Sequence, residues 1–162
     1  MNDSYSAHNK ISFLRNAVVG AVASGLLLGV TTQAMAQANP DATLAAAAKE
    51  PGANVTASGL VIRTIKEGNG TQPTASSTVR VHYKGSFPDG KEFDSSYKRG
   101  EPIEFPLSGV IKCWTEGVAL MKVGGAAKLT CPSSIAYGAR GAGGVIPPNA
   151  TLVFEVELLG VR

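Results

Sequence analysis

Beyond its first 38 residues the chain holds a single histidine, and the whole sequence has two cysteines and one tryptophan. These scarcities remove whole classes of chemistry. His82 has no cysteine beside it and no serine-aspartate frame around it, so neither a nucleophilic triad nor a His/Cys metal site can be assembled. Its place on the outward side of an alternating strand reads as a solvated polar residue. Two cysteines are far too few for a disulfide-dense scaffold. Lysine and arginine never form a run, and no basic stripe interleaved with aromatics occurs, which argues against nucleic acid as a partner. The uncharged apolar stretch near the front falls short of the roughly 20 residues a membrane span requires. The glycine-rich "YGARGAGGVIPPN" has neither G-x-G-x-x-G spacing nor G-K-[ST], and a strand follows it where a phosphate cradle needs a helix. It reads as a loop, and no cofactor or metal is expected.

What is present begins with a leader. Lys10 and Arg15 precede an uncharged, mostly apolar stretch from Ala17 to Val30, and "TTQAMAQA" then satisfies an A-x-A pattern at Ala34/Ala36 and at Ala36/Ala38. That order reads as a signal peptide over residues 1–38, cleaved near residue 36 or 38, and it places the mature chain outside the cytoplasm, in a periplasm-like compartment. An uncleaved anchor is the competing reading. Formal charge is +3 for the full chain, and the leader carries two cations and one anion, so the mature chain is mildly basic. An oxidising compartment makes Cys113 and Cys131 candidates for a disulfide, but each also suits the role of a small buried hydrophobe. The sequence leaves both open.

Residues 39–58, "NPDATLAAAAKEPGANVTAS", are alanine-rich, broken by Pro40, Pro51 and Gly52, and poor in groups that would anchor them. They read as a flexible tether, with a transient alanine helix as the alternative. No long amphipathic segment precedes the folded part, so a monomer is expected. The domain is read as residues 59–162. "LVIRTIKEG" is a β-branched run closed by turn residues, and "TVRVHYKGSF" sets Val79, Val81 and Tyr83 on one face against Arg80 and His82 on the other. "AAKLTC" and "TLVFEVELL" repeat that period of two. One short helix is expected where Trp114, Val118 and Met121 share a face, stopped by Gly124-Gly125. Several strands and one helix make an antiparallel α+β domain.

Taken in order, "VHYKG", "DGKEFDSS", "PIEFPLSGVIKCWTEGV", "AYGARG" and "VIPPNATLVFEVELL" closely resemble the FKBP-type peptidyl-prolyl cis/trans isomerases, the macrolide-binding prolyl isomerases, over residues 59–162. The resemblance implies a five-stranded antiparallel sheet wrapped around a short helix, with an apolar pocket between them. It also implies the pocket's residues. Tyr83, Phe93, Asp94, Trp114 and Tyr137 carry the catalytic roles. Phe105, Val110, Ile111, Ile146 and Phe154 complete the substrate-binding walls. Two positions depart from the common pattern: Cys113 stands where many members have glycine before the tryptophan, and Ala142 where some carry histidine.

These residue types suit rotation about an X-Pro amide. The barrier comes from C–N double-bond character, ~18–20 kcal/mol for a peptide bond, and no covalent step is needed to lower it. An aromatic box that takes up the proline ring and excludes water favours the twisted amide over the planar one. Trp114 is the floor, Tyr83, Phe105 and Phe154 are walls, and Val110 and Ile111 close the side. Asp94 sits among them as a carboxylate that acts through its field or hydrogen bonds, Tyr83 being its expected partner, since amide rotation transfers no proton. Tyr137 and the backbone N–H of Ile111 are the donors the resemblance implies for substrate carbonyls. Expected partners are proline-containing polypeptides, with macrolides such as tacrolimus or rapamycin as inhibitors. The competing class is a binding module that holds proline segments without turnover.

Overall fold

The computed structural model describes residues 40–162. The leader and cleavage point expected from the sequence fall on residues outside the described ones. In chain order the elements are α1 (Pro40–Ala48), β1 (Ala53–Val55), β2 (Val61–Lys66), β3 (Thr78–Ser86), β4 (Glu92–Ser95), α2 (Ser96–Arg99), β5 (Ile103–Pro106), α3 (Lys112–Ala119), β6 (Ala126–Cys131) and β7 (Leu152–Val161). Short 3-10 turns cover Leu107–Gly109, Ser133–Ile135 and Gly138–Arg140.

Alternation becomes strand wherever one face meets the core. In β3, Val79, Val81 and Tyr83 are buried while Arg80 is exposed, and in β7, Leu152, Phe154, Val156 and Leu158 all point inward. Every pairing is antiparallel, in the order β1-β2-β6-β7-β3-β4, with β5 also on β3. β4 pairs the Lys84–Ser86 end of β3 and β5 pairs its Thr78–Val81 end. The two therefore fill one edge position end to end, with α2 as the excursion between them. The five expected strands correspond to β2, β6, β7, β3 and this shared edge. The count of seven arises from the split edge and from the addition of β1.

α3 lies on the inner face of the sheet and buries Cys113, Trp114, Gly117 and Val118. It ends at Ala119, so Met121 follows the helix rather than closing its apolar stripe. The last turn tightens: the N–H groups of Leu120 and Met121 donate to the carbonyls three residues back, Gly117 at 3.2 Å and Val118 at 3.0 Å. That tightening, not Gly124-Gly125, ends the helix. A disulfide joins Cys113 to Cys131 with Cα atoms 5.9 Å apart, and both residues are fully buried. It ties the first turn of α3 to the end of β6.

Residues 40–55 do not form a tether. α1 packs against β1, β2 and β6 with Ala47 buried, and β1 adds an antiparallel strand to β2. Glu50 supplies the anchor that composition hides. Its carboxylate meets Lys128 Nζ at 2.6 Å and Arg63 Nε at 3.2 Å, both on the outward face of the sheet. Ordered structure thus begins well before residue 59. His82 also departs from expectation. It is half-buried, its Nδ1 lies 2.9 Å from Ser96 Oγ, and its ring stacks on Tyr97 with centroids 4.6 Å apart.

Candidate active site

Five elements and two loops converge on a pocket of about 500 Å³. Trp114 forms its base from the first turn of α3. Only 5% exposed, the indole meets three aromatic rings. Tyr83 and Phe154 stand nearly perpendicular to it, with centroids at 5.1 and 5.4 Å, and Phe105 tilts against it at 5.2 Å. Such edge-to-face pairs fix ring orientation as well as burying area. The same side chain therefore completes the core and floors the cavity.

The walls come from strands whose inner faces would otherwise be ordinary core. Phe93 packs edge-on to Phe154 at 5.7 Å. Gly85, directly opposite Phe154 in the β3–β7 register, makes that possible: a Cβ there would lie 2.7 Å from the Phe93 ring and 3.0 Å from that of Phe154. Val110 and Ile111 form the side nearest α3. The Ile111 carbonyl accepts the first bonds of α3, whereas its N–H has no protein acceptor among the described residues. Tyr137, 38% exposed, stands at the mouth.

The polar part of the pocket is one linked cluster. Tyr83 Oη donates to Asp94 Oδ2, Arg99 Nη1 donates to Asp94 Oδ1 at 2.6 Å, and Arg99 Nη2 donates to Tyr83 Oη at 3.0 Å. Burial alone would raise the Asp94 carboxyl, but the hydrogen bonds from Tyr83 and Arg99 and the guanidinium charge outweigh it and hold the group below its ordinary range. Burial, then the Asp94 carboxylate, pushes the Tyr83 phenol up. At neutral pH the cluster is an anion held by a neutral donor and a cation. Ser96 fixes the backbone beneath it: its buried Oγ accepts the Tyr83 N–H at 2.8 Å.

Nine of the ten positions expected from the sequence line this pocket. Ile146 does not. Its backbone bridges Ala142, and the residue lines a neighbouring groove with Phe87. Sequence reasoning also passed over Arg99, Gly85 and Gly109, the last of which lines the pocket. For Gly85 a signal existed, since an isolated glycine inside an alternating strand marks close approach of another group. Chemically, the cavity offers an apolar enclosure, one oriented carboxylate and a free backbone donor, and no nucleophile.

Comparison with known proteins agrees with this geometry. The family model for FKBP-type peptidyl-prolyl cis-trans isomerases matches residues 69–159. The FKBP-type 22 kDa peptidyl-prolyl cis-trans isomerase of Escherichia coli is 55% identical over 114 residues, which is 70% of this chain and 55% of that one. FK506-binding protein 1 of Dictyostelium discoideum is 59% identical over 103 residues, 62% of this chain and 96% of that one. The crystal structure of FkpA from Escherichia coli superposes with a TM-score of 0.74 at 50% identity, covering 76% of this chain and 57% of that one. The chain thus spans about half the length of the Escherichia coli relatives it matches. With a family match over most of the sheet and pocket, the chain belongs to the FKBP-type peptidyl-prolyl cis-trans isomerase family.

Proposed function

We propose that this chain is a peptidyl-prolyl cis/trans isomerase acting on X-Pro bonds of exported polypeptides as they fold. The observation that carries this reading is the aromatic pocket floored by Trp114, with Asp94 clamped at its side by Tyr83 and Arg99. Export is supported by the leader-like order of charge, apolar stretch and A-x-A sites in residues 1–38.

Uncatalysed X-Pro isomerisation takes tens to hundreds of seconds because the amide must give up its resonance. The planar amide is the more polar state, and water stabilises it. A proline ring seated over Trp114, between Phe154 and Phe105, leaves that water behind. The twisted amide, with little resonance to lose, is less penalised there, so the enclosure favours the transition state over the ground state. The Ile111 N–H and the Tyr137 hydroxyl hold the substrate carbonyls on either side of the rotating bond. Asp94, fixed as an anion, supplies a field at the rotating carbonyl and takes up no proton. Macrolides that occupy the same box compete with the substrate.

The test is the cis-to-trans rate of a short X-Pro peptide with the purified chain, with and without rapamycin. Turnover blocked by the macrolide and lowered in Trp114→Phe supports the reading. Macrolide binding without turnover would replace it with a holding module that uses the same pocket.

A further inference from the structure

Beside the pocket runs a second cavity of about 600 Å³, larger than the first, between the β3–β4 turn and the 138–148 loop. We propose that it is a subsite for the stretch of unfolded polypeptide flanking the proline, selective for segments that combine an apolar residue with an acidic one. The inference rests on the reading that the Trp114 pocket takes the proline. Three observations carry it.

The first is continuity. Phe93 lines the pocket, Phe87 lines the groove, and their ring centroids are 5.1 Å apart. Tyr137 at the pocket mouth is three residues before Arg140 at the groove. The two cavities therefore adjoin across one ring contact, and an extended chain that advances ~3.3 Å per residue passes from one to the other within a few residues. The second is preformed shape. Ile146 and Ala142 exchange backbone hydrogen bonds at 2.9 and 3.0 Å, and Asn149 N–H donates to the Gly138 carbonyl at 2.8 Å. Gly141, at φ 64°, admits no side chain, because a Cβ would lie 2.1 Å from the Ile146 carbonyl oxygen. The loop is therefore fixed with Val145 56% exposed at the groove and Pro147 beside it. The third is charge. Lys91 and Arg140 flank the groove, and neither has an ion-pair partner among the described residues. The single anion there, Asp89, already accepts the Lys91 backbone N–H at 2.8 Å. A groove with an apolar floor and two free cations suits an apolar segment carrying a carboxylate.

The experiment compares three peptides on the full chain by NMR: a four-residue X-Pro core, the same core extended on both sides by Leu- and Glu-containing segments, and the extension with Lys in place of Glu. The acidic extension is expected to lower KM about tenfold relative to the core, an advantage that shrinks with salt. In the double variant Lys91→Glu/Arg140→Glu the advantage passes to the lysine extension, while turnover of the core peptide stays as it was. Amide shifts on adding the acidic peptide are expected at Arg140 to Val145 as well as at the Trp114 indole. Shifts confined to Trp114, or equal KM for core and extended peptides, would overturn the groove assignment. Groove shifts without any turnover would leave the subsite standing and remove the isomerase reading instead.

Discussion

Tyr83 and Asp94 are joined twice, directly from phenol to carboxylate and again through Arg99, whose guanidinium reaches Asp94 Oδ1 at 2.6 Å and Tyr83 Oη at 3.0 Å. The Arg99 charge also lies 5.6 Å from the centre of the Tyr83 ring. A cluster closed in this way orients the carboxylate without any member being free to rotate away. Asp94→Asn keeps the shape and removes the charge, so kcat/KM for a short X-Pro peptide is expected to fall about tenfold while the thermal midpoint stays near that of the native chain. Because the three groups act as a unit, Tyr83→Phe combined with Asp94→Asn should cost little more than the larger single effect. Additive losses in that cycle would show the contacts to be independent.

The same cluster sets the pH range. Asp94 titrates lower in the folded chain than unfolded, so its interactions contribute above the unfolded value of about 3.9 and are lost as pH falls through the folded pKa. Tyr83 titrates higher when folded, so its contribution is intact below about 10 and is lost as pH rises toward and past the folded pKa. Turnover is therefore expected to be level from about pH 5 to pH 9, with an acid limb only below the ordinary carboxylate value of about 3.9 and an alkaline limb only above the ordinary phenol value of about 10. The acid limb should disappear in Asp94→Asn, measured over a pH range in which circular dichroism shows the chain folded.

Much of the sheet was legible because alternation survives wherever one face meets the core, as in Val79-Val81-Tyr83 and Leu152-Phe154-Val156. Trp114 and its aromatic walls were legible only as a set, since each alone looks like core. The 40–55 segment was not. An alanine helix shows no apolar stripe, and the contact that docks it joins Glu50 to Lys128 across 78 positions, beyond any local window. Arg99 escaped for a related reason: α2 turns the chain back so that a residue five positions after Asp94 faces it. The motif points Ile146 to the wall of the Trp114 pocket, but the residue lines the adjoining groove, where its backbone bridges Ala142.

The Cys113–Cys131 disulfide joins residues 18 positions apart and closes a loop that holds α3 from Cys113 to its end at Ala119. A cross-link of that length stabilises by about 3 kcal/mol through the unfolded chain. Cys113→Ala/Cys131→Ala is expected to lose about that amount in urea titration, with turnover at 25 °C retained because Trp114 still packs against Tyr83, Phe105 and Phe154. Both residues are fully buried, so reductant should lower the urea midpoint of the native chain to that of the double variant only after passage through the unfolded state. An unchanged midpoint in the double variant would mean that the cross-link contributes nothing.

Glu50 offers a test of whether α1 and β1 belong to the cooperative fold. The hydrogen bond from Lys128 lowers its carboxyl most, burial opposes, and the charges of Lys128 and Arg63 add to the lowering. The pairing thus stabilises above the unfolded value of about 4.3 and is lost as pH falls through the folded pKa. Glu50→Ala leaves two cations facing each other on the outer sheet surface, at a cost of about 1 kcal/mol. The Glu50 carbonyl accepts the Ala53 N–H at 3.0 Å, and Thr56 N–H pairs with the Leu60 carbonyl at 2.9 Å. Those two amides should therefore exchange faster in the variant, while the Trp114 pocket, on the opposite face of the sheet, keeps its turnover. Unaltered exchange would mean that α1 and β1 are held by Ala47 and the β1–β2 pairing alone.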